Sequence, residues 1–536
     1  MPDNVPILSF IVLIPLAGAL MLLLLPKDRG RLARIAAIVF TGLSLLFAVW
    51  LYADYQPAFG GAKYEERAAW LSIPLNLEAG LRDQGVVSYR LAFDYHLGVD
   101  GISLPLVLLA GAVSLMAALG SVHIRKRRKA YYALLLLLQT GMYGVFLARD
   151  AGLFFIFFEL TLIPMFFLIG IWGDYGREKA ANRFLVYNGL GSAVMLLAFL
   201  LLVATLGFRA DETADGTILT YSGNYDVMLA NLSDPNAAAN AGGALSFTGG
   251  LKWSVFVLLL VAFGIKVPIF PLHAWMLRVH AEAPPPVVMI HAGVLLKMGV
   301  YGLIRFAGFL LPAQLEAAAP AIAALGVINV LYGAILACVQ KEFKLVLAYS
   351  SISHMGIVLL GLASLSEIGF AGALFQSVSH GLISALLFLV VGSLQERTGT
   401  TRLTELGGLA RSLPFTSGIL LTAGLAALGL PGLSGFVGEL LAFLGLFATM
   451  RWPTVLGVLG VLLAAVYVLR SVLAIAYGPL PARFAGLKEA RFTEALPMVA
   501  LTGLIVLLGV YPSLLTDLME HGFAGLLREL QTRAGG

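Results

Sequence analysis

Apolar runs of about 20 residues recur along the whole chain, separated by polar or charged connections, and that length fits helices crossing a bilayer. The ten-residue alternation of an outer-membrane barrel fits less well. Run by run, the pattern predicts fourteen spans at roughly 7–25, 32–52, 98–120, 131–148, 151–172, 183–207, 251–275, 284–310, 317–339, 344–363, 368–393, 415–449, 454–478 and 495–518. The expected fold class is all-α, a polytopic membrane protein. Two connections are long. Residues 53–97, mixed in charge with Trp70 and several tyrosines, predict a small ordered cap. Residues 208–250, acidic and rich in Gly, Ala and Asn, predict a mobile or variable insertion.

Composition agrees with the pattern, since 59% hydrophobic residues, 12% charged residues and a mean hydropathy of +0.91 exclude an ordinary soluble protein. Charge then orients the spans. The odd-numbered connections hold Lys27, Arg29, Arg31 and Arg34, then Arg125 to Lys129, Arg177 with Lys179 and Arg183, Arg278, Lys341 with Lys344, Arg397 with Arg402 and Arg411, and Arg483 with Lys488 and Arg491. The short even-numbered connections carry almost nothing basic. By the positive-inside rule both termini are expected on the outer face and the basic connections in the cytoplasm. The same rule accounts for the pI of about 9.1, so no nucleic-acid partner is implied. The start, MPDNVPILSF, is acidic with no small-residue cleavage site after it, which predicts a retained first helix rather than a signal peptide. A single cysteine, Cys338, excludes an internal disulfide and a four-cysteine iron-sulfur cluster.

Against this apolar background the few ionisable residues inside spans are the candidate chemistry. Lys266 and Lys297 lie roughly 20 Å from Trp253 and roughly 15 Å from Val287, near mid-bilayer and too deep to snorkel. A lysine at that depth faces a polar interior and has a partner. Pro268 and Pro271 follow Lys266 and predict a break just past it, the way transporters build ion sites. Glu159 is the one ionisable residue of the fifth span, with Pro164 five positions on, and Lys266 is its candidate partner. His354 and His380 fall near the middles of the tenth and eleventh spans; proton relay and a neutral ring bonded to a neighbouring helix both remain open for them. In the twelfth span, LPGLSGFVGE places Pro431 among glycines and Glu439 just beyond. The seventh and twelfth spans therefore match, each interrupted beside a charge. Their five-helix separation predicts two inverted repeats, the boundaries being 1–130, 131–310 for the first repeat, 311–480 for the second and 481–536. His273, His280 and Glu282 lack metal-ligand spacing and are expected to line the cytoplasmic mouth. No GxGxxG follows a strand, so a nucleotide site has no support.

The runs FFIFFELTLIPMFFLIGIWG, GIKVPIFPLHAWM, VLLKMGVYGLIRF, LAYSSISHMG, SHGLISALLF and LPGLSGFVGE, in this order, resemble the antiporter-like subunits of proton-pumping NADH:quinone oxidoreductase, the M-type chains of bacterial complex I in particular. The resemblance covers nearly all fourteen spans. It implies that Glu159, Lys266, Lys297 and Glu439 match the proton-path residues of the family and that His354 and His380 match its central relay. Glu439 favours the M type, because L- and N-type chains generally have a lysine there, and the chain stops without the long lateral helix of the L type. The resemblance further implies a bacterial inner-membrane subunit with L- and N-type neighbours. No redox cofactor or metal is expected in this chain; FMN, iron-sulfur clusters and quinone would belong to partner subunits. The sequence departs from the family at PPPVVMIH, which leaves His291 an unassigned titratable group. Two rivals stay open: the D-type subunit of a multi-subunit cation/proton antiporter, and a redox subunit that binds quinone directly.

Overall fold

The computed structural model describes residues 6–26, 29–56, 64–75, 79–243 and 246–534. The acidic start before Pro6, Lys27 and stretches of both long connections lie outside them. Among the described residues thirteen helices are long and apolar enough to cross a membrane. The remaining predicted span, the twelfth, consists of two shorter apolar helices, Pro414–Ala427 and Ser434–Thr449. Helix starts follow local chemistry. Asp150, Thr248 and Ser366 accept hydrogen bonds from first-turn N–H groups, and Pro312 and Pro414 sit where a missing N–H costs nothing.

Two spans, the eighth, Pro285–Phe309, and the eleventh, Glu367–Thr398, have their most apolar 18 residues entirely buried by the others. They meet at Gly293 and Gly381. A Cβ on Gly381 would lie 2.6 Å from the Gly293 carbonyl oxygen and one on Gly293 3.2 Å from that of Gly381. Only paired glycines permit this approach, the way small residues bring membrane helices together.

The seventh span breaks where its prolines predict. Its first helix, Gly249–Lys266, ends at the lysine, and a second, Ala274–Glu282, follows a seven-residue irregular stretch, so the span runs further than the expected end at 275. The fourteenth span is shorter than expected. It ends at Val510, and a further helix, Ser513–Ala534, begins after Pro512, which lacks the N–H to continue the first. That last helix buries Leu515, Leu518, Met519, Phe523 and Leu526 at helical spacing, with Phe523 stacked on Phe370 at 5.2 Å.

The helical expectation holds for the spans, but the two long connections add a sheet. The second connection contributes β1 (Glu65–Pro74) and β2 (Val86–Gly98), the sixth β3 (Phe208–Thr213) and β4 (Gly216–Ser222), in the order β1-β2-β4-β3. The expected mobile insertion is thus a hairpin followed by a short helix, Tyr225–Ser233. Its strand signal is the alternation in GTILTYS, which pairs in parallel with β2 and which the surrounding small residues conceal. Asp150 ties the sheet to the bundle, accepting from the N–H of Asp94 at 3.1 Å while capping the fifth span.

At the sheet end, Arg305 in the eighth span pairs with Asp100, just before the third span begins, with both side chains largely buried. Burial opposes the Asp100 charge, but the Arg305 guanidinium outweighs it and holds the carboxyl at about 2, below the ordinary 3.8. The sign follows: the pair stabilises fully above pH 3.8 and the contribution is lost as pH falls through about 2. Arg305→Met strands the carboxylate and costs about 3–5 kcal/mol. In a thermal-stability measurement on detergent-purified protein, Asp100→Asn added to Arg305→Met recovers most of that loss.

Candidate functional site

The site grows out of the break after Lys266. An interrupted helix inside a membrane leaves backbone groups that nothing but protein can satisfy. Asn329 of the ninth span meets two of them, its Oδ1 accepting from the Phe270 N–H at 2.8 Å and its Nδ2 donating to the Pro268 carbonyl at 3.2 Å. Trp275 donates from Nε1 to the Ile265 carbonyl at 3.1 Å. The stretch is therefore fixed, and it holds the lysine in place.

The Lys266 ammonium donates to Asn188 Oδ1 at 3.2 Å and lies over the rings of Phe158 at 4.9 Å and Phe184 at 5.6 Å. Glu159 makes no direct ion pair with it among the described residues, although it is near enough for its charge to act on the lysine. The expected pair is thus a through-space pair, with an amide making the contact. Glu159 is half-buried, and its Oε1 has no hydrogen-bond partner among the described residues.

The eighth span carries Lys297 between two wide π-helical stretches, His291–Leu295 and Leu303–Phe309. Such turns cluster at functional sites. Lys297 Nζ donates to the Ala292 carbonyl at 2.5 Å and lies 2.8 Å from His380 Nδ1 of the eleventh span. The rings of His380 and His354 are 5.3 Å apart, beside a cavity of about 10 Å³ that Ser350, Ser351 and Ser384 also line, room for one water. His354 Nδ1 in turn lies 3.2 Å from Gln376 Nε2 and 3.4 Å from Glu439 Oε1. Lys297, His380, His354 and Glu439 thus form one run of neighbours across four spans, while Lys266 and Glu159 belong to a second group around Asn188.

His280 does not line a mouth. It is fully buried, and its Nε2 lies 2.9 Å from Nδ1 of the equally buried His291, because only Ala283 and Pro284 separate the second half-helix from the start of the eighth span. His273 bonds the Tyr332 hydroxyl at 3.1 Å, and Glu282 accepts from the Gly176 N–H at 2.7 Å. Lys344, expected in a connection, is a buried residue of the tenth span whose Nζ donates to Asp174 Oδ2 at 2.9 Å. Residues that the sequence reading missed are mostly amides: Asn188, Asn329 and Gln376, buried inside apolar runs. The rule that a polar group at membrane depth needs a partner applies to them as to charges, and would have found them.

A possible metal grouping lies apart from both groups, in the sheet. Atoms of Glu65, His96 and Asp226 come within 4.8 Å of one another. His96 Nε2 faces Glu65 at 3.5 Å and Nδ1 meets Asn224 Nδ2 at 3.0 Å, so the cluster is accounted for by its own ion-pair network.

Residues 148–464 match the family described as "NADH:quinone oxidoreductase/Mrp antiporter, TM". The chain belongs to this family. Among its relatives, NAD(P)H-quinone oxidoreductase chain 4 1 of Synechococcus elongatus is 36% identical over 99% of this chain and 93% of the relative. Chain 4 of Gloeobacter violaceus is 34% identical over 97% and 92%. A chain of respiratory complex I from Thermus thermophilus with bound NADH superposes with a TM-score of 0.78 at 30% identity, covering 97% of this chain and 99% of that one. A chain of the Mrp complex from Dietzia sp. DQ12-45-1b has a TM-score of 0.79 over 99% of both chains; at 20% identity it shares the fold.

The family match includes the twelfth-span break, where two glycines separate strain from function. Gly429 (φ 77°) and Gly432 (φ 90°) both hold left-handed backbone, which costs an alanine roughly 1–2 kcal/mol. Only at Gly429 would the new Cβ meet Glu439, 2.5 Å from Oε2, whereas Gly432 has open space. Gly429→Ala therefore lowers proton transport in membrane vesicles well beyond Gly432→Ala, with assembly similar in the two. Equal transport defects would show that Glu439 tolerates displacement.

Proposed function

We propose that this chain is the M-type, proton-translocating subunit in the membrane arm of a respiratory NADH:quinone oxidoreductase. The observation that carries the reading is the 2.8 Å contact between Lys297 and His380 on the two enclosed helices, with a broken span beside a charge on either side. Lysine, imidazole and carboxylate can each hold a proton, and at these separations they exchange one directly or through single waters. Lys297 is the centre. Its ammonium gives a proton to His380, which passes it by way of His354 to Glu439, while Glu159 sets how readily Lys266 takes or releases one on the other side.

Full-length likeness at 36% to a quinone oxidoreductase chain supports this reading over a cation/proton antiporter, to which the likeness is one of fold. Glu439, where L- and N-type chains generally have a lysine, supports the M type. The chain binds no redox cofactor; FMN, iron-sulfur clusters and quinone belong to partner subunits, and L- and N-type chains are its neighbours. It sits in a bacterial inner membrane with the basic connections in the cytoplasm and both termini outside. The two five-helix halves are inverted repeats, so their half-paths open to opposite faces.

Lys297→Ala leaves the complex assembled and reduces coupled turnover at least tenfold. Arginine keeps the charge but rescues poorly, since it releases no proton at accessible pH. Full pumping by the alanine variant in sealed vesicles would refute the relay. Recovery of the chain with flavin and iron-sulfur subunits supports the respiratory complex, while recovery with small membrane subunits only, together with sodium/proton exchange, supports the antiporter.

A further inference from the structure

An open recess of about 690 Å³ lies where the connection between the first and second spans meets that between the third and fourth. Arg29, Arg31, Arg125, Arg127 and Arg128 line it, and among the described residues no carboxylate does. Residues 27–31 and 125–129 hold eight basic side chains and one acidic one, Asp28. Arg128 donates from Nε to the Ile124 carbonyl at 2.8 Å. The other four guanidinium groups belong to exposed residues and make no hydrogen bond or ion pair among the described residues. The backbone adds to this charge. The second span, Gly30–Asp54, and the fourth, Arg128–Leu147, both start at the recess, and neither has a side-chain cap or an acidic residue in its first turn. Each start therefore presents free N–H groups and the positive end of its helix dipole, which favour an anion. The two starts abut, since a Cβ on Gly30 would lie 2.9 Å from Cδ of Arg128. Lys129 Nζ ties them to the end of the first span, donating to the Leu23 and Leu25 carbonyls at 2.8 and 2.6 Å.

We propose that this recess binds the headgroup of an anionic phospholipid, its phosphate held between the guanidinium groups and the two helix starts. The proposal holds whichever complex the chain serves. Guanidinium suits a phosphodiester because it presents paired donors to the two free oxygens. Position favours a lipid over an acidic protein segment. Leu32 and Ile35 line the same recess and are 43% and 57% exposed, and Val39, one turn further along the second span, is exposed as well. Ile35 lies about 8 Å from Gly30 along the helix axis, so acyl chains below a phosphate at Gly30 would run down this apolar strip. Anionic headgroups also gather at basic segments on the membrane boundary. The positive-inside rule accounts for these arginines lying on one side of the bilayer. It does not require unpartnered guanidinium groups from two connections to converge on two uncapped helix starts. The sixth span also starts at a basic connection, yet it has Glu178 in its first turn and Glu282 on the Gly176 N–H. That contrast gives the test its control.

The assembled complex is placed in phosphatidylcholine vesicles that carry a photoactivatable phosphatidylglycerol with its reactive group near the phosphate. After illumination, peptides covering residues 29–35 and 125–128 are expected to carry at least five times the label of the peptide covering Arg177 to Arg183. Unlabelled phosphatidylglycerol competes for the site, whereas added phosphatidylcholine and inorganic phosphate do not. Arg31→Gln with Arg127→Gln lowers the label at least fivefold. Arg31→Lys with Arg127→Lys, which keeps the charges that orient the spans, retains at least half of it. Equal label at the two connections means only diffuse attraction to a basic surface and overturns the proposal. Competition by inorganic phosphate also overturns it, because the recess is then a free-anion site. So does absence of label there, which assigns the recess to a neighbouring subunit. If the glutamine pair fails to insert, competition in the wild-type complex decides by itself.

Discussion

The contact of Gly293 with Gly381 is the constraint on which the site depends. Lys297 and His380 belong to different helices, and a bond of 2.8 Å between them requires those helices to approach more closely than ordinary side chains allow. Both helices are buried where they meet, so neither has room to move away from the other. Gly299 extends the same logic to the seventh span, where an added Cβ would lie 2.9 Å from that of Lys266. Close packing of small residues thus brings three spans together, and the polar residues are what their surfaces hold between them.

Low dielectric explains why those residues have the partners they have. A salt bridge at the centre of a membrane would be strong and slow to change; an amide, a ring face or a carbonyl stabilises an ammonium without binding it tightly. Lys266 has Asn188 and two phenylalanine rings, and Lys297 has a carbonyl and an imidazole. Glu159 makes no hydrogen bond or ion pair with Lys266 among the described residues. The strong buried ion pair, Arg305 with Asp100, lies at the sheet end, where it fixes the end of the eighth span and has no need to titrate.

Sequence made the spans and the charges legible because each is a local property. Hydropathy placed every span, with the ends of the seventh and fourteenth off by seven and eight residues, and Pro268 placed the seventh-span break. What it could not supply was distance. Glu159 and Lys266 read as a pair because both were lone charges, yet Asn188 makes the contact. His280 read as a mouth residue, yet it is fully buried against His291 of the eighth span. The sheet escaped for another reason. Each long connection pairs two strands of its own, and the two pairs, more than a hundred residues apart in sequence, make one sheet only through β2 and β4.

The same broken helix that positions Lys266 also brings His280 within reach of the eighth span. Had the seventh span continued straight from Lys266, the fourteen positions to His280 would have carried that ring about 21 Å along the axis, toward the basic end and away from the lysines. The stretch after Lys266 interrupts the rise, and Asn329 and Trp275 hold the interruption in one conformation. A helix break is usually read as a way of opening backbone groups to an ion. Here those groups are occupied by side chains, so the break does something else: it separates two titratable residues of one span, Lys266 and His280, which have different partners. That role needs a rigid break rather than a hinge, and the buried amide of Asn329, bonded on both sides, is what makes it rigid.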